Sequence, residues 1–188
     1  MDLKQSSISR REFMQAAAIS SAVLAAGPVF EIAGKEPAKA AMPATIFVCS
    51  MCGHVEFGSA PEFCPVCHAP KEKFTQNNNV FSEALATYKD AGISHTPEII
   101  VKKKSGLISE TPTYEIEVRI GKKLHPMEEQ HHIRFIDCYV DDKHFSRMSF
   151  TIGSDPAATF YTKASGATVR AVELCSVHGY WQAESSVM

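Results

Sequence analysis

The carboxyl-terminal half of the chain alternates between apolar and polar residues in short segments, which is the pattern of half-buried β-strands. The alternation is clearest over Tyr114–Ile120, where every second residue is apolar and the residues between are Glu or Arg. Four more apolar-rich segments, separated by turns of Gly, Asp and Pro, are also predicted strands: 98–102, 132–140, 145–152 and 167–174. We therefore predict a mainly β protein that ends in an immunoglobulin-like antiparallel β-sandwich.

The amino-terminal half is organised differently, because cysteines and turn residues replace the alternating pattern. A polar run of Gln and Asn ends this cysteine-rich part, and apolar residues at helical spacing follow from Val80 to Asp90. The chain is thus predicted to have four parts: a targeting segment (1–40), a small metal domain (45–76), a linker with a short helix (77–93) and the sandwich (94–188).

Residues 1–40 have the features of a targeting segment rather than of a folded domain. Arg10-Arg11 is followed two positions later by Phe13, and an apolar stretch rich in Ala and Ser runs from 16 to 30. Ala38-Lys39-Ala40 supplies a cleavage site of the A-x-A type. The segment resembles a twin-arginine (Tat) export signal, which implies a periplasmic protein cleaved after Ala40. A retained amphipathic anchor helix is the alternative.

Composition points to a globular metal protein. The chain is 45% hydrophobic and 21% charged, and its formal net charge of −2 argues against binding to nucleic acid backbones. Its six cysteines and eight histidines fall mostly in short clusters. An exported protein would ordinarily pair its cysteines in disulfides. The Tat route carries folded proteins, so a metal bound before export can protect the thiolates instead.

Four of the cysteines form two Cys-x-x-Cys pairs, Cys49/Cys52 and Cys64/Cys67, with 11 residues between them. Two such turns present four thiolates in a tetrahedral set that suits iron or zinc. The segment resembles rubredoxin, and more closely the rubredoxin-like domain of rubrerythrins, which implies an iron that carries one electron. His68 departs from this pattern, because many rubredoxins have Gly after the last ligand. A structural zinc ribbon is the alternative.

A second set of motifs lies in the predicted sandwich. His125-Pro-Met-Glu-Glu-Gln-His131 separates two strands, and Cys175-x-x-His178-Gly-x-Trp closes the last predicted strand. These motifs, with His95-Thr-Pro before them, resemble the superoxide reductase family, which includes desulfoferrodoxin and neelaredoxin. The resemblance implies a mononuclear iron with an axial thiolate from Cys175. Its four equatorial imidazoles would come from His95, His125, His131 and His178.

One departure from the family concerns the residues before the first histidine. Superoxide reductases usually carry Glu-Lys there, and this chain has Ile93-Ser94. No metal ligand is lost, so we expect the iron site to form. The absence of the charged Glu-Lys pair is expected to affect the reaction rate and the delivery of protons to the substrate. Lys122 and Lys123 could replace it, and an ordinary solvated turn is the alternative.

The remaining histidines and cysteine are predicted to lie outside the iron sites. His132 should point to the opposite face of a strand from His131. His54, His68 and His144 show no partner pattern, so we expect each to be exposed to solvent. Cys138 lies among apolar residues of a predicted strand and is expected to be a small buried thiol.

The resemblance implies an exported superoxide reductase that reduces superoxide to hydrogen peroxide, with the rubredoxin-type iron as electron relay. An external electron donor would be its partner. A homodimer or a higher homo-oligomer is left open. The alternative is a non-enzymatic periplasmic electron carrier or redox sensor on the same fold, which the missing Glu-Lys favours.

Overall fold

The computed structural model describes residues 45–106 and 109–187. The predicted export signal and its alternative, a retained anchor helix, lie outside these residues. Within the described ranges, no helix is both long enough and apolar enough to cross a bilayer.

The described chain forms ten strands, two short α-helices and one 3-10 turn. In chain order the strands are β1 (Ile46–Cys49), β2 (Val55–Phe57), β3 (Phe74–Gln76), β4 (Pro97–Gly106), β5 (Ser109–Ile120), β6 (Ile133–Val140), β7 (Lys143–Ser149), β8 (Ala157–Thr162), β9 (Thr168–Cys175) and β10 (Gly179–Ser186). The helices are α1 (Val80–Thr87) and α2 (Gly92–His95), and the 3-10 turn is Lys71–Lys73.

Two antiparallel sheets form the carboxyl-terminal part, with strand orders β10-β9-β6-β7 and β4-β5-β8. They share one apolar core, to which β5 contributes Ile116 and Val118 and β6 contributes Ile136. Burying one such side chain fully contributes about 1.5–3 kcal/mol. The prediction of a mainly β protein with an antiparallel sandwich is confirmed.

The predicted strands correspond to β4, β5, β6, β7 and β9, and the apolar face of β5 is buried as its alternation indicated. Two strands of the sandwich, β8 and β10, were not predicted, and neither were the three strands β1 to β3. The helix in the linker ends at Thr87 rather than Asp90, with Tyr88 as its carboxyl-terminal cap. A second helical turn then brings His95 to the start of β4.

The cysteine-rich part forms a three-stranded sheet of order β2-β1-β3. It shares a second apolar core with the sandwich, in which Ile46 and Val55 pack with Tyr139 of β6 and Val172 of β9. The Tyr139 hydroxyl donates a hydrogen bond of 2.7 Å to the carbonyl oxygen of Val55. The metal domain is therefore packed against the sheet that contains β6 and β9.

Both faces of β6 are covered, which explains its nearly continuous burial. Ile136 and Cys138 point into the sandwich core, whereas Asp137 and Tyr139 point towards the metal domain. Because successive residues of a strand point to opposite faces, one strand contributes to two different packing layers.

Candidate metal centres

The first candidate centre contains Cys49, Cys52, Cys64 and Cys67, and it is built from two tight turns. Cys49 ends β1, and the amide of Gly53 donates to its carbonyl oxygen over 2.9 Å. The second turn is closed in the same way, by the amide of His68 and the carbonyl oxygen of Cys64, also over 2.9 Å. The two turns thus present both Cys-x-x-Cys pairs to one point.

The spacing of the four sulfur atoms fits a tetrahedral metal. Cys49 Sγ lies 3.8 Å from Cys67 Sγ, and Cys52 Sγ lies 3.6 Å from Cys64 Sγ. Four sulfurs placed tetrahedrally about 2.3 Å from one ion are about 3.8 Å apart. Burial opposes ionisation of Cys67, but the amide of Ala69 and the neighbouring thiols lower its pKa to about 7. All six described cysteines are free of disulfide bonds.

Residues after each knuckle adopt the left-handed backbone conformation. Gly53 has φ +73°, and a Cβ atom there would lie 2.9 Å from the hydroxyl of Tyr180. His68 has φ +58°, so it keeps the conformation that glycine usually supplies at this position. For a residue with a Cβ atom this costs about 1–2 kcal/mol. The departure from the rubredoxin pattern therefore leaves the turn itself intact.

The second candidate centre lies at one end of the sandwich. His95 ends α2, His125 and His131 lie between β5 and β6, Cys175 ends β9, and His178 lies in the turn before β10. The donor atoms of these five residues lie within 4.8 Å of one another. The structure thus brings together every residue that the sequence predicted for this site.

The four imidazoles are arranged as a square. Neighbouring ring centroids are 4.5 or 4.6 Å apart around the sequence His95, His125, His131 and His178, with planes at 73° to 86°. His95 and His131 face each other across the square, with centroids 6.0 Å apart. The four imidazoles therefore surround a common central point.

Hydrogen bonds on the outer ring nitrogens orient two of these imidazoles. His95 Nδ1 donates to the carbonyl oxygen of Ala91 over 2.8 Å, and His125 Nδ1 donates to that of Pro126 over 2.6 Å. Their Nε2 atoms lie 3.0 Å apart. With both Nδ1 atoms protonated, two lone pairs face each other, an arrangement that a cation between them stabilises.

These distances fit a metal in the centre of the square. Nitrogens in adjacent positions about 2.1 Å from an ion are about 3.0 Å apart. His178 Nδ1 lies 2.9 Å from His95 Nε2, and His131 Nε2 is buried without a hydrogen-bond partner. Burial, together with the neighbouring imidazoles, lowers the pKa of His125 to about 4, so its ring is neutral and able to bind a metal.

Cys175 lies beside this square and is almost entirely buried. Its sulfur is 3.5 Å from His125 Nε2 and 3.6 Å from His178 Nδ1. Burial raises the pKa of the thiol, and the amide of Val177, which donates to the sulfur over 3.5 Å, acts in the opposite direction. A bound metal would favour the thiolate further.

Side chains of the sandwich also contact the first cysteine knuckle. Arg147 Nη1 on β7 donates to the carbonyl oxygen of Cys52 over 2.9 Å. The hydroxyl of Tyr180 on β10 donates to the carbonyl oxygen of Gly53, also over 2.9 Å. Because Tyr180 is two residues after His178, one short segment links the neighbourhoods of the two centres.

Of the three histidines expected at the surface, His54 is buried and His144 is largely shielded from solvent, so that prediction was wrong for these two. The side chain of His54 is 0% exposed and that of His144 is 12% exposed. Burial acts to lower the pKa of His54, but hydrogen bonds to Asp137 and Glu56 raise it. The sequence carried no signal for this cluster, because its members come from separate elements. His68 is exposed as expected.

The other two residues assigned outside the iron sites lie outside them. His132 Nδ1 contacts the carbonyl oxygen of Glu128 over 3.1 Å and is not part of the His/Cys cluster. Cys138 is 0% exposed within the sandwich core, and burial raises its pKa to about 12.

Comparison with known families gives two matches. The family model described as desulfoferrodoxin matches residues 87–184, which is more than half of the chain and includes the complete His/Cys cluster. The chain belongs to the desulfoferrodoxin family. A second model, the rubredoxin-like domain of rubrerythrin, matches residues 47–75 and includes the four-cysteine cluster. Both matches support iron as the metal of this protein.

Some curated relatives align with this chain over about half of their own length, and others align over most of it. A desulfoferrodoxin homolog from Methanothermobacter thermautotrophicus is 32% identical over 141 residues, which cover 72% of this chain and 94% of the relative. Desulfoferrodoxin from Desulfarculus baarsii is 41% identical over 68 residues, which cover 36% of this chain. In that case the chain spans 52% of the relative's length.

Among solved structures, a superoxide reductase (neelaredoxin) from Ignicoccus hospitalis is 26% identical. The match covers 57% of this chain and 96% of the chain in that structure, with a TM-score of 0.45. Relatives of this chain also include proteins named superoxide reductase, which are oxidoreductases.

Proposed function

We propose that this protein is an exported superoxide reductase. In the overall reaction, superoxide takes up one electron and two protons and gives one hydrogen peroxide. The observation that supports this best is the convergence of four imidazoles and one thiol on a single point. When bound there, iron would supply one-electron chemistry and, with five protein ligands, one coordination position for the substrate.

The residues of the site would each do a defined part of this work. Neutral imidazoles hold a ferrous ion without cancelling its charge, and that charge favours an anionic substrate. A Cys175 thiolate bound to that iron would donate electron density to it, which would favour electron transfer to the substrate. Trp181 packs against the His95 ring, with centroids 5.2 Å apart, and helps to exclude water from one side.

Positive charge near the substrate would come from a different segment than in most superoxide reductases. The amides of Lys122 and Lys123 both donate to the carbonyl oxygen of Ile93, over 2.9 and 3.2 Å. These bonds hold the two exposed lysines next to the turn that carries Ser94 and His95. We propose that they attract superoxide through their long-range field, a role that would weaken with salt.

The four-cysteine site is proposed to relay electrons from an external donor. Tetrahedral iron held by four thiolates changes its charge with little rearrangement, whereas zinc has no redox chemistry in proteins. The hydrogen bonds from Arg147 and Tyr180 to the first knuckle support this proposal, because they fix that knuckle to β7 and to β10, which begins directly after His178.

A non-enzymatic electron carrier or redox sensor is the second candidate function. The presence of Ile93-Ser94 in place of a charged pair favours it, because this chain lacks the charge next to the first histidine. The two candidates differ in how the iron-loaded protein reacts with superoxide.

We expect iron-loaded, reduced protein to consume superoxide and form one hydrogen peroxide for each superoxide, rather than one for every two. In a Ser94→Lys variant the rate should rise about tenfold at low ionic strength, because a local charge concentrates the anion. Stopped-flow mixing with superoxide, together with a peroxide assay, measures both quantities.

Ser94→Gln is the matched control, since it adds length without charge and should react at the wild-type rate. If neither the wild-type protein nor the Ser94→Lys variant consumes superoxide, the carrier or sensor is the correct function.

The proposed periplasmic location depends on the twin-arginine pair. We expect Arg10→Lys together with Arg11→Lys to stop export completely, because a receptor reads the pair as an address and not as charge. Cell fractionation and blotting should find the precursor in the cytoplasm. Lys4→Arg, a charge-preserving exchange outside the pair, should leave export unchanged. Full export of the double variant would show that the Tat assignment is wrong.

A further inference from the structure

A third cluster of metal-binding side chains lies where the metal domain packs against the sandwich. It consists of His54, which precedes β2, with Asp137 on β6 and His144 on β7. The side chains of His54 and Asp137 are 0% exposed, and that of His144 is 12% exposed. No residue of this cluster belongs to either of the other two centres.

The nitrogen-to-oxygen distances within the cluster are slightly longer than good hydrogen bonds. His54 Nδ1 lies 3.3 Å from Asp137 Oδ2, and His144 Nε2 lies 3.4 Å from Asp137 Oδ1. Good N–H to O hydrogen bonds are about 2.7–3.2 Å long. Nitrogen and oxygen ligands placed tetrahedrally about 2.0–2.1 Å from a metal are about 3.3–3.4 Å apart. The two distances end on different oxygens of Asp137, so an ion bound through one of these oxygens accounts for one distance as a ligand-to-ligand spacing.

The two imidazole rings also resemble the pairs in the four-histidine square. The ring centroids of His54 and His144 are 4.7 Å apart, and the planes meet at 80°. Adjacent imidazoles of the square are 4.5 or 4.6 Å apart at 73° to 86°. The same relative placement therefore occurs in two unrelated parts of the chain.

A β-bulge brings His144 into the cluster. In the pairing of β6 with β7, Cys138 lies opposite Ser146 but Tyr139 lies opposite His144, so Phe145 is an extra residue. In a regular ladder Phe145 would face Tyr139, and His144 would lie on the other face of the sheet. The bulge turns His144 onto the face that carries Asp137, and such re-aiming of a side chain is a common use of bulges.

Neighbouring groups orient the ligands as they do in known metal sites. His54 Nε2 lies 2.9 Å from a carboxylate oxygen of Glu56, which leaves Nδ1 for a metal and forms a carboxylate–histidine pair. Arg147 donates to both oxygens of Asp137 over 2.6 Å. A carboxylate has about four lone-pair sites, so two remain, and the hydroxyl of Tyr139 lies 3.4 Å from Oδ2 as a further donor.

A buried proton is the competing explanation. In that case His54 would be an imidazolium between Glu56 and Asp137, and no metal would be needed. This explanation accounts for His54 but leaves His144 Nε2, which is buried, without a well-formed hydrogen bond. An ion accounts for both rings.

We propose that His54, Asp137 and His144 form a third metal site for a divalent ion of the zinc type. Two imidazoles and one carboxylate, with a water as fourth ligand, are a donor set that zinc accepts. Asp137 and Glu56 together supply two negative charges, which offset the guanidinium of Arg147. The site would tie the metal domain to the sandwich, independently of any reaction with superoxide.

Zinc titration of the full-length, two-iron protein tests the proposal. We expect the wild-type protein to retain one zinc per chain after desalting, in addition to its two irons, measured by elemental analysis. The absorption of the four-cysteine iron shows in the same sample whether zinc has displaced iron. A His144→Gln variant should lose the retained zinc while keeping both irons.

His132→Gln is the control for binding by any surface imidazole, and it should retain zinc as the wild-type protein does. Retained iron absorption shows that each variant is folded, because both changes leave the cysteine ligands untouched. The proposal is overturned if the two-iron wild-type protein retains no zinc, or if His144→Gln retains as much as the wild-type protein.

Discussion

A Cys175→Ser variant should retain iron through its four imidazoles but lose superoxide reductase activity by several orders of magnitude. Serine keeps the size of the side chain and replaces a soft thiolate with a hydroxyl that ionises poorly. The thiolate-to-iron charge-transfer absorption of the oxidised site should disappear. Stopped-flow kinetics with superoxide and the visible spectrum of the oxidised protein measure the two effects.

Cys138→Ser is the matched control, because Cys138 is equally buried in the same apolar core but is not part of the His/Cys cluster. Placing a hydroxyl there should cost about 1–3 kcal/mol of stability. Its spectrum and rate should remain those of the wild-type protein. If the two variants behaved in the opposite way, Cys138 would be the ligand and the role assigned to Cys175 would be wrong.

The second large effect concerns the four-cysteine site. We expect Cys52→Ser to abolish the tetrathiolate absorption while the His/Cys centre keeps its iron, so that iron falls from two to one per chain. Cys52 Sγ lies 3.6 Å from Cys64 Sγ, and no cysteine of this cluster contacts the imidazoles of the other. Metal analysis and visible spectroscopy of the purified variant measure the change.

The same measurement on the wild-type protein tests the electron relay. Two irons per chain are expected. One zinc and one iron would exclude the relay, because zinc transfers no electron, and would leave the reductase itself unaffected. A loss of both metals in the Cys52→Ser variant would contradict the independence of the two centres.

Local patterns were sufficient to predict much of the sandwich. The alternation over Tyr114–Ile120 places apolar side chains on one face, and the structure buries that face completely. This works because the side-chain direction in a strand is a property of neighbouring residues alone. Two strands were missed, β8 and β10, which shows the limit of reading each segment separately.

The four-cysteine centre could also be predicted from the sequence, because each Cys-x-x-Cys pair lies within one tight turn. The His/Cys centre draws its ligands from four places in the chain, and only the resemblance to a known family connected them. The structure places these ligands around one point with spacings suited to a metal.

The sequence by itself determined the strands with clear alternation and the cysteine turns, because these depend on residues that are close along the chain. Tertiary structure alone decided the environment of His54 and His144, which the sequence analysis placed in solvent. His54 meets Asp137 across 83 positions only because the metal domain packs on β6. His144 joins them because one extra residue shifts the register of β7 and reverses the face on which its side chain lies.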